Sequence, residues 1–178
     1  MKHVLRVAAL AAGLVFASTG AHATGVNYAS YLKCSHAKLA VFNGTIVDAA
    51  VATPELSTLV SLVTAAKLVD ALSAPGNLTV YAPTNSAFGK VPAPLLDLIG
   101  GDPALLSKVL TYHVVARPAD PRRSLIPTQV ATLQGQTVFI GYDKDGASVN
   151  QSTAACTGVK TSNGTVWLID SVLLPQFK

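Results

Sequence analysis

The sequence predicts an α+β domain. Apolar residues recur at helical spacing in the first half of the chain, at Leu56, Leu59, Val60 and Val63 and again at Leu105, Leu106, Val109 and Leu110. From Gln129 the period shortens to two, in runs broken at Gln134-Gly135, at Lys144-Asp145-Gly146 and at Ser162-Asn163-Gly164. Helices first and strands later argue against an alternating α/β chain. No internal repeat interrupts the pattern, and the chain reads as one domain.

The elements follow in order. "MKHVLRVAALAAGLVFASTGAHA" places Lys2 and Arg6 before an apolar run that ends in Ala21-His22-Ala23, the layout of a secretory signal over residues 1–23. The run is short for a membrane span, and no cysteine at the cleavage point suggests a lipid anchor there. Residues 24–44 read as an irregular N-terminal extension with Cys34 as its anchor. "TIVDAAVA" and "TPELSTLVSLVTAAKLVDAL" read as helices, the second opened by a Thr53 hydroxyl cap, Pro54 in the first turn and Glu55 at the positive end of the dipole. Pro75 and Gly76 end that region.

"LTVYA" is β-branched and aromatic, and predicts a short buried strand stopped by Pro83. Thr84 or Asn85 then caps a short helix with Phe88 facing inward. In "GDPALLSKVLTYHVV", Asp102 caps and Pro103 opens a further helix. Tyr112 and His113 are placed on a strand beyond it, pointing to opposite faces, with His113 a buried polar group bonded to a nearby loop and Tyr112 a packed ring.

Removing the leader leaves about 155 residues, enough for one sizeable core, and lowers the formal charge from +4 to about +2. "ARPADPRRS" gathers Arg117, Arg122 and Arg123, but Asp120 dilutes it and no aromatic is interleaved. It reads as a solvated loop, and no nucleic-acid partner is expected. Cys34 and Cys156 are both in the exported part, where disulfides form and persist, so they are expected to pair. His36 and His113 stand at no ligand-like spacing, and no metal site is expected. "DKDG", Asp143 to Gly146, lacks the remaining ligands of a calcium loop and reads as a hairpin turn. No G-x-S-x-G elbow accompanies the serines. Sequons stand at Asn43, Asn77, Asn150 and Asn163; Asn77 and Asn163 already have turn roles.

Three segments, in order, carry a resemblance: "TVYAPTNSAF", "LTYHVV" (Leu110 to Val115) and "SNGTVWLIDSVLLP". On these the chain resembles the fasciclin-like domain family, over residues 45–175, with 176–178 left as a tail. The resemblance implies an α+β sandwich or wedge with helices packed on one side. It also implies an extracellular, non-catalytic role in adhesion at cell surfaces or matrix, without a cofactor. Thr84, Asn85, Phe88, His113, Asn163 and Gly164 fall in its motifs as structural residues. Two positions depart from the pattern. Gly158 and Val159 stand where animal adhesion proteins of the family carry an Asp-Ile pair linked to integrin recognition, so metal capture by that loop is not expected. Trp167 stands where the second signature often carries a histidine, and reads as a core or rim aromatic.

The expected protein is secreted or periplasmic, with no membrane span after leader removal and with an extracellular protein, cell-surface or glycan partner. Tyr112, Arg117, Arg122 and Arg123 are the candidate contact residues. The competing reading is a secreted binder of a small apolar molecule or glycan in a groove between helices and sheet.

Overall fold

A computed structural model describes residues 26–177. The leader at 1–23 lies outside the described residues. The first described element is α1 (Tyr28–Ser35), opened by the Asn27 side chain, which accepts from Ser30 N–H at 3.1 Å. The expectation of an irregular segment over 24–44 is corrected here. α1 is short and buries only Cys34 along its length, so no apolar stripe announced it.

β1 (Ala40–Val41) leads to α2 (Ile46–Val51), which begins with a reciprocal capping box between Thr45 and Asp48. The Thr53 hydroxyl does not cap. It donates to Ala49 O at 2.8 Å, and Pro54–Leu56 form a single 3-10 turn. α3 (Ser57–Ala65) and α4 (Val69–Ser73) follow, separated where Lys67 takes a positive φ of 56°. β2 (Leu78–Pro83), α5 (Asn85–Gly89), α6 (Ala93–Gly101) and α7 (Pro103–Tyr112) come next. Asp102 caps α7, accepting from Ala104 N–H at 2.8 Å and Leu105 N–H at 3.2 Å.

Tyr112 is the last residue of α7 and His113 its C-cap, so neither lies on a strand. The helix continues through "LTY", where Thr111 Oγ1 donates to Ser107 O and His113 Nδ1 meets Val109 O at 2.8 Å. The His113 bond supplies a partner to one of the last four carbonyls of the helix, which have none within it. Only Val114–Val115 (β3) are extended. The antiparallel strands β4 (Thr128–Ala131), β5 (Thr137–Tyr142), β6 (Ala147–Val149) and β7 (Ser152–Thr153) form one sheet. Its turns use Gly135 and Gly146 at φ of 103° and 132°, a conformation that glycine adopts without strain. Asp143 Oδ1 accepts from the N–H groups of Asp145 and Gly146, which makes "DKDG" a turn.

β8 (Val159–Lys160) and β9 (Gly164–Ile169) complete a second, mixed sheet in the order β1-β8-β9-β2-β3. At its centre β2 and β9 run parallel from Leu78↔Gly164 to Pro83↔Ile169. Alternation along these two strands divides the interior in two. Val80, Ala82 and Val166 face Ile46, Leu56, Leu59, Val63, Phe88, Leu106 and Leu110 of the helical layer. Tyr81, Trp167 and Ile169 face Val130, Val138, Ile140 and Val149 of the antiparallel sheet. The architecture is α+β: two sheets face to face, with α2–α7 on the outer side of the mixed one.

Candidate functional site

The signature segments converge on the β2–β9 pair, and most of their polar side chains are consumed in holding it. Asn163 is buried. Its Oδ1 accepts from Ile46 N–H at 2.9 Å, and its Nδ2 donates to Leu72 O at 2.8 Å and Ala74 O at 3.0 Å. One carboxamide thus caps the start of α2 and the end of α4, and that sequon's amide is fully engaged. A side chain on Gly164 would place its Cβ 2.2 Å from Leu78 O, so the strand pair closes only around a glycine.

In "APTN", Thr84 Oγ1 accepts from Ala87 N–H at 3.3 Å and caps α5. Asn85 does not cap that helix. Its Oδ1 accepts from Thr58 N–H at 3.0 Å and its Nδ2 donates to Pro54 O and Ser57 Oγ, so it caps α3 from across the interface. Phe88 is buried among the helices.

His113 is 2% exposed. Nδ1 is bonded to Val109 O, and Nε2 accepts from Leu173 N–H at 2.9 Å, which requires the proton on Nδ1. Burial is the main cause of a pKa pushed down to about 4, against a smaller opposing effect of the Val109 bond. The ring stays neutral at physiological pH, and both nitrogens are committed to backbone.

Two expected contact residues are corrected. Tyr112 is buried, its hydroxyl donating to Thr137 O at 3.1 Å and accepting from Asn150 Nδ2 at 3.2 Å. Arg122 is buried as well, with a side chain 3% exposed. Its Nη1 donates to the carbonyls of Cys34, Ala37 and Cys156 at 3.3, 2.7 and 2.9 Å. Nε and Nη2 grip the two oxygens of Asp120 at 2.9 and 2.8 Å, and the guanidinium lies 4.6 Å from the centre of the Trp167 ring. Cys34 and Cys156 are joined as a disulfide, so Arg122 holds the carbonyls on both sides of that link. Burial alone would raise the Asp120 carboxyl, but the bonds and charge of Arg122, with a bond from Arg123, outweigh it and hold the pKa below its ordinary value.

Trp167 also explains Gly158. A Cβ there would stand 2.9 Å from the indole ring. The two departures noted in the sequence are therefore two sides of one contact.

Arg117 and Arg123 remain outside, on the rim of a groove of about 740 Å³ between the mixed sheet and the 117–124 loop. Lys160 joins them from β8, with the polar side chains of Asn77, Thr128, Ser162 and Thr165. Asp120 is the one acid among the described residues lining it. The loop is pinned from beneath: Thr79 Oγ1 donates to Arg117 O at 2.8 Å and accepts from Ala119 N–H at 3.0 Å, and the Tyr81 hydroxyl donates to Ala119 O at 3.0 Å. Lys160 and Ser162 were missed in the sequence because they reach the groove through strand pairing, far along the chain from Arg117. A separate apolar cavity of about 160 Å³ lies among α3, α6 and α7, lined by Leu59, Leu62, Phe88, Ile99 and Leu106. Among the described residues no cluster of three or more His, Cys, Asp or Glu could hold a metal, and no helix is long and apolar enough to cross a membrane.

A fasciclin domain model matches residues 54–175. The cell surface glycolipoprotein MPT83 of Mycobacterium tuberculosis is 43% identical over 135 residues, which cover 73% of this chain and 60% of that protein. Immunogenic protein MPT70 of the same organism is 41% identical over 127 residues, covering 68% and 64%. Protein sll1483 of Synechocystis is 40% identical over 134 residues, covering 74% and 73%. The match thus spans about three fifths of the length of the mycobacterial relatives.

Proposed function

Because this chain belongs to the fasciclin domain family, we propose that it is an exported, non-catalytic contact module that works in adhesion at a cell surface or in the surrounding matrix. MPT83 is named a cell surface protein, which supports that compartment. The observation that carries the reading is the groove bordered by Arg117, Arg123 and Lys160. Its cations are exposed while its walls are tied to β2 by Thr79 and Tyr81, so a partner meets a surface that is already ordered. The family's histidine, His113, has both nitrogens engaged and is held neutral, which leaves it no free position for acid-base work.

Attachment of surface extracts or cells to immobilised protein tests this. Arg117→Ala with Arg123→Ala should reduce attachment without changing thermal stability, and a chelator should leave it unchanged. Attachment that is chelator-sensitive and indifferent to both arginines overturns the assignment of the contact to this groove.

A second reading has its own observation. The 160 Å³ apolar cavity matches the size, roughly 150 Å³, at which a dry cavity accepts a benzene-sized guest. A rise in melting temperature with small aromatic or aliphatic compounds would support a small-ligand role, and no rise across such a set removes it.

A further inference from the structure

We propose that the groove is a binding site for an anionic saccharide, with Arg117, Arg123 and Lys160 receiving its acidic groups. This rests on the reading of the groove as the contact surface and names the chemistry of what it contacts.

Charge comes first. Three exposed cations face one acid, and that acid is already spent. Asp120 accepts from Arg122 Nε, Nη2 and N–H and from Arg123 Nε, so its charge is matched by the buried Arg122. Arg123 is 77% exposed and its bond to Asp120 is long, at 3.4 Å, so its fork is available to an incoming anion. Two guanidinium groups and one ammonium suit carboxylate, sulfate or phosphate oxygens.

The neutral lining decides among anions. Asn77, Thr128, Ser162 and Thr165 line the same groove with amide and hydroxyl groups, and Leu39, Val130 and Ile140 add apolar surface, a mixture that suits the hydroxyls and C–H faces of a sugar. The aromatic rings nearby are closed off: Trp167 is 1% exposed under Arg122, and Tyr81 is fully buried. A nucleic acid strand would find no face on which to stack its bases. The groove's volume of about 740 Å³ falls in the usual range of small-ligand sites, roughly 300–1,000 Å³, and fits a short oligosaccharide segment.

The test measures binding of the purified protein to alginate, dextran sulfate and a phosphorylated mannan, with neutral dextran, oligothymidylate and polyglutamate beside them, by calorimetry at two salt concentrations. Binding to at least one acidic polysaccharide is expected, with none to dextran and weaker binding to oligothymidylate and polyglutamate. Arg117→Ala with Arg123→Ala should weaken it by roughly tenfold or more, and Lys160→Ala should weaken it further. Lys108→Ala and Lys144→Ala, exposed cations outside the groove, should leave it unchanged. Equal losses in all the variants would show diffuse attraction to a basic protein and overturn the proposal. Binding to dextran, or tighter binding to oligothymidylate or polyglutamate, overturns it too. If attachment depends on Arg117 and Arg123 while no acidic saccharide binds, the saccharide assignment fails and the contact-module reading stands. Saccharide binding without attachment does the reverse.

Discussion

Replacing Arg122 by methionine keeps much of the aliphatic stem and removes the guanidinium. Three carbonyls, of Cys34, Ala37 and Cys156, then lose their donor, and the half-buried Asp120 carboxylate loses both bonds from that group. Removing one partner of a buried ion pair costs about 3–5 kcal/mol, because the remaining charge is left uncompensated. The Trp167 contact adds to the loss without being separable from it. For a domain of this size the expected fall in melting temperature is about 6–20 °C. Urea unfolding with the disulfide intact measures the change directly.

The pH dependence supplies a second readout. The folded Asp120 carboxyl lies below its unfolded value, so its contribution is present above the unfolded pKa and is lost as pH falls through the folded one. The wild type should lose this stability below about pH 4, and Arg122→Met should lack that part of the acid limb. A destabilisation under about 1 kcal/mol, with an unchanged acid limb, would refute the clamp.

Three further outcomes are expected. His113 stays neutral in the folded chain down to about pH 4, whereas the unfolded chain takes up its proton near 6.5; stability is full above pH 6.5 and falls toward pH 4 by about 3 kcal/mol, and His113→Gln should flatten that window in urea titrations. Gly164→Ala should destabilise by about 3 kcal/mol or more, because the clash is with the Leu78 backbone and not a movable side chain; a circular dichroism melt within a degree of wild type would contradict it. Thr84→Ala should cost about 0.5–2 kcal/mol as a lost cap. Asn85→Ala should cost at least as much, since it unpairs Thr58 N–H and Pro54 O on another element, and a smaller loss than for Thr84→Ala would show the cross-interface cap to be idle.

The parts of the fold legible in the sequence were those with local causes. The Asp102-Pro103 start, the Gly135 and Gly146 turns and the buried "LTVYA" strand each follow from residues within a few positions. The illegible parts depended on contacts far along the chain. Arg122 and Arg123 are neighbours with the same chemistry, yet one side chain is 3% exposed and the other 77%. Nothing in "DPRR" separates them; the difference is made by carbonyls 34 to 88 residues away. Asn85 looked like a cap and is one, but for a helix that starts 28 residues earlier. The "LTYHVV" run reads as extended because its β-branched residues favour strands, yet α7 runs on to Tyr112 and only Val114–Val115 pair in the sheet. Half of the candidate contact surface was found for the same reason: Arg117 and Arg123 could be read from one loop, whereas Lys160 arrives from another sheet strand.

The Cys34–Cys156 link has a mechanical consequence. It joins positions 122 residues apart, so tension applied at the two ends of the chain crosses from residue 34 to residue 156 through two sulfur atoms. The intervening stretch, with a contour of roughly 400 Å at about 3.4 Å per residue, cannot pay out while the bond holds. The groove loop at 117–124 lies inside that shielded stretch, and Lys160 lies just outside it. A pulled domain would therefore lengthen only through its flanks, residues before 34 and after 156, and a reducing environment would release the whole reserve at once.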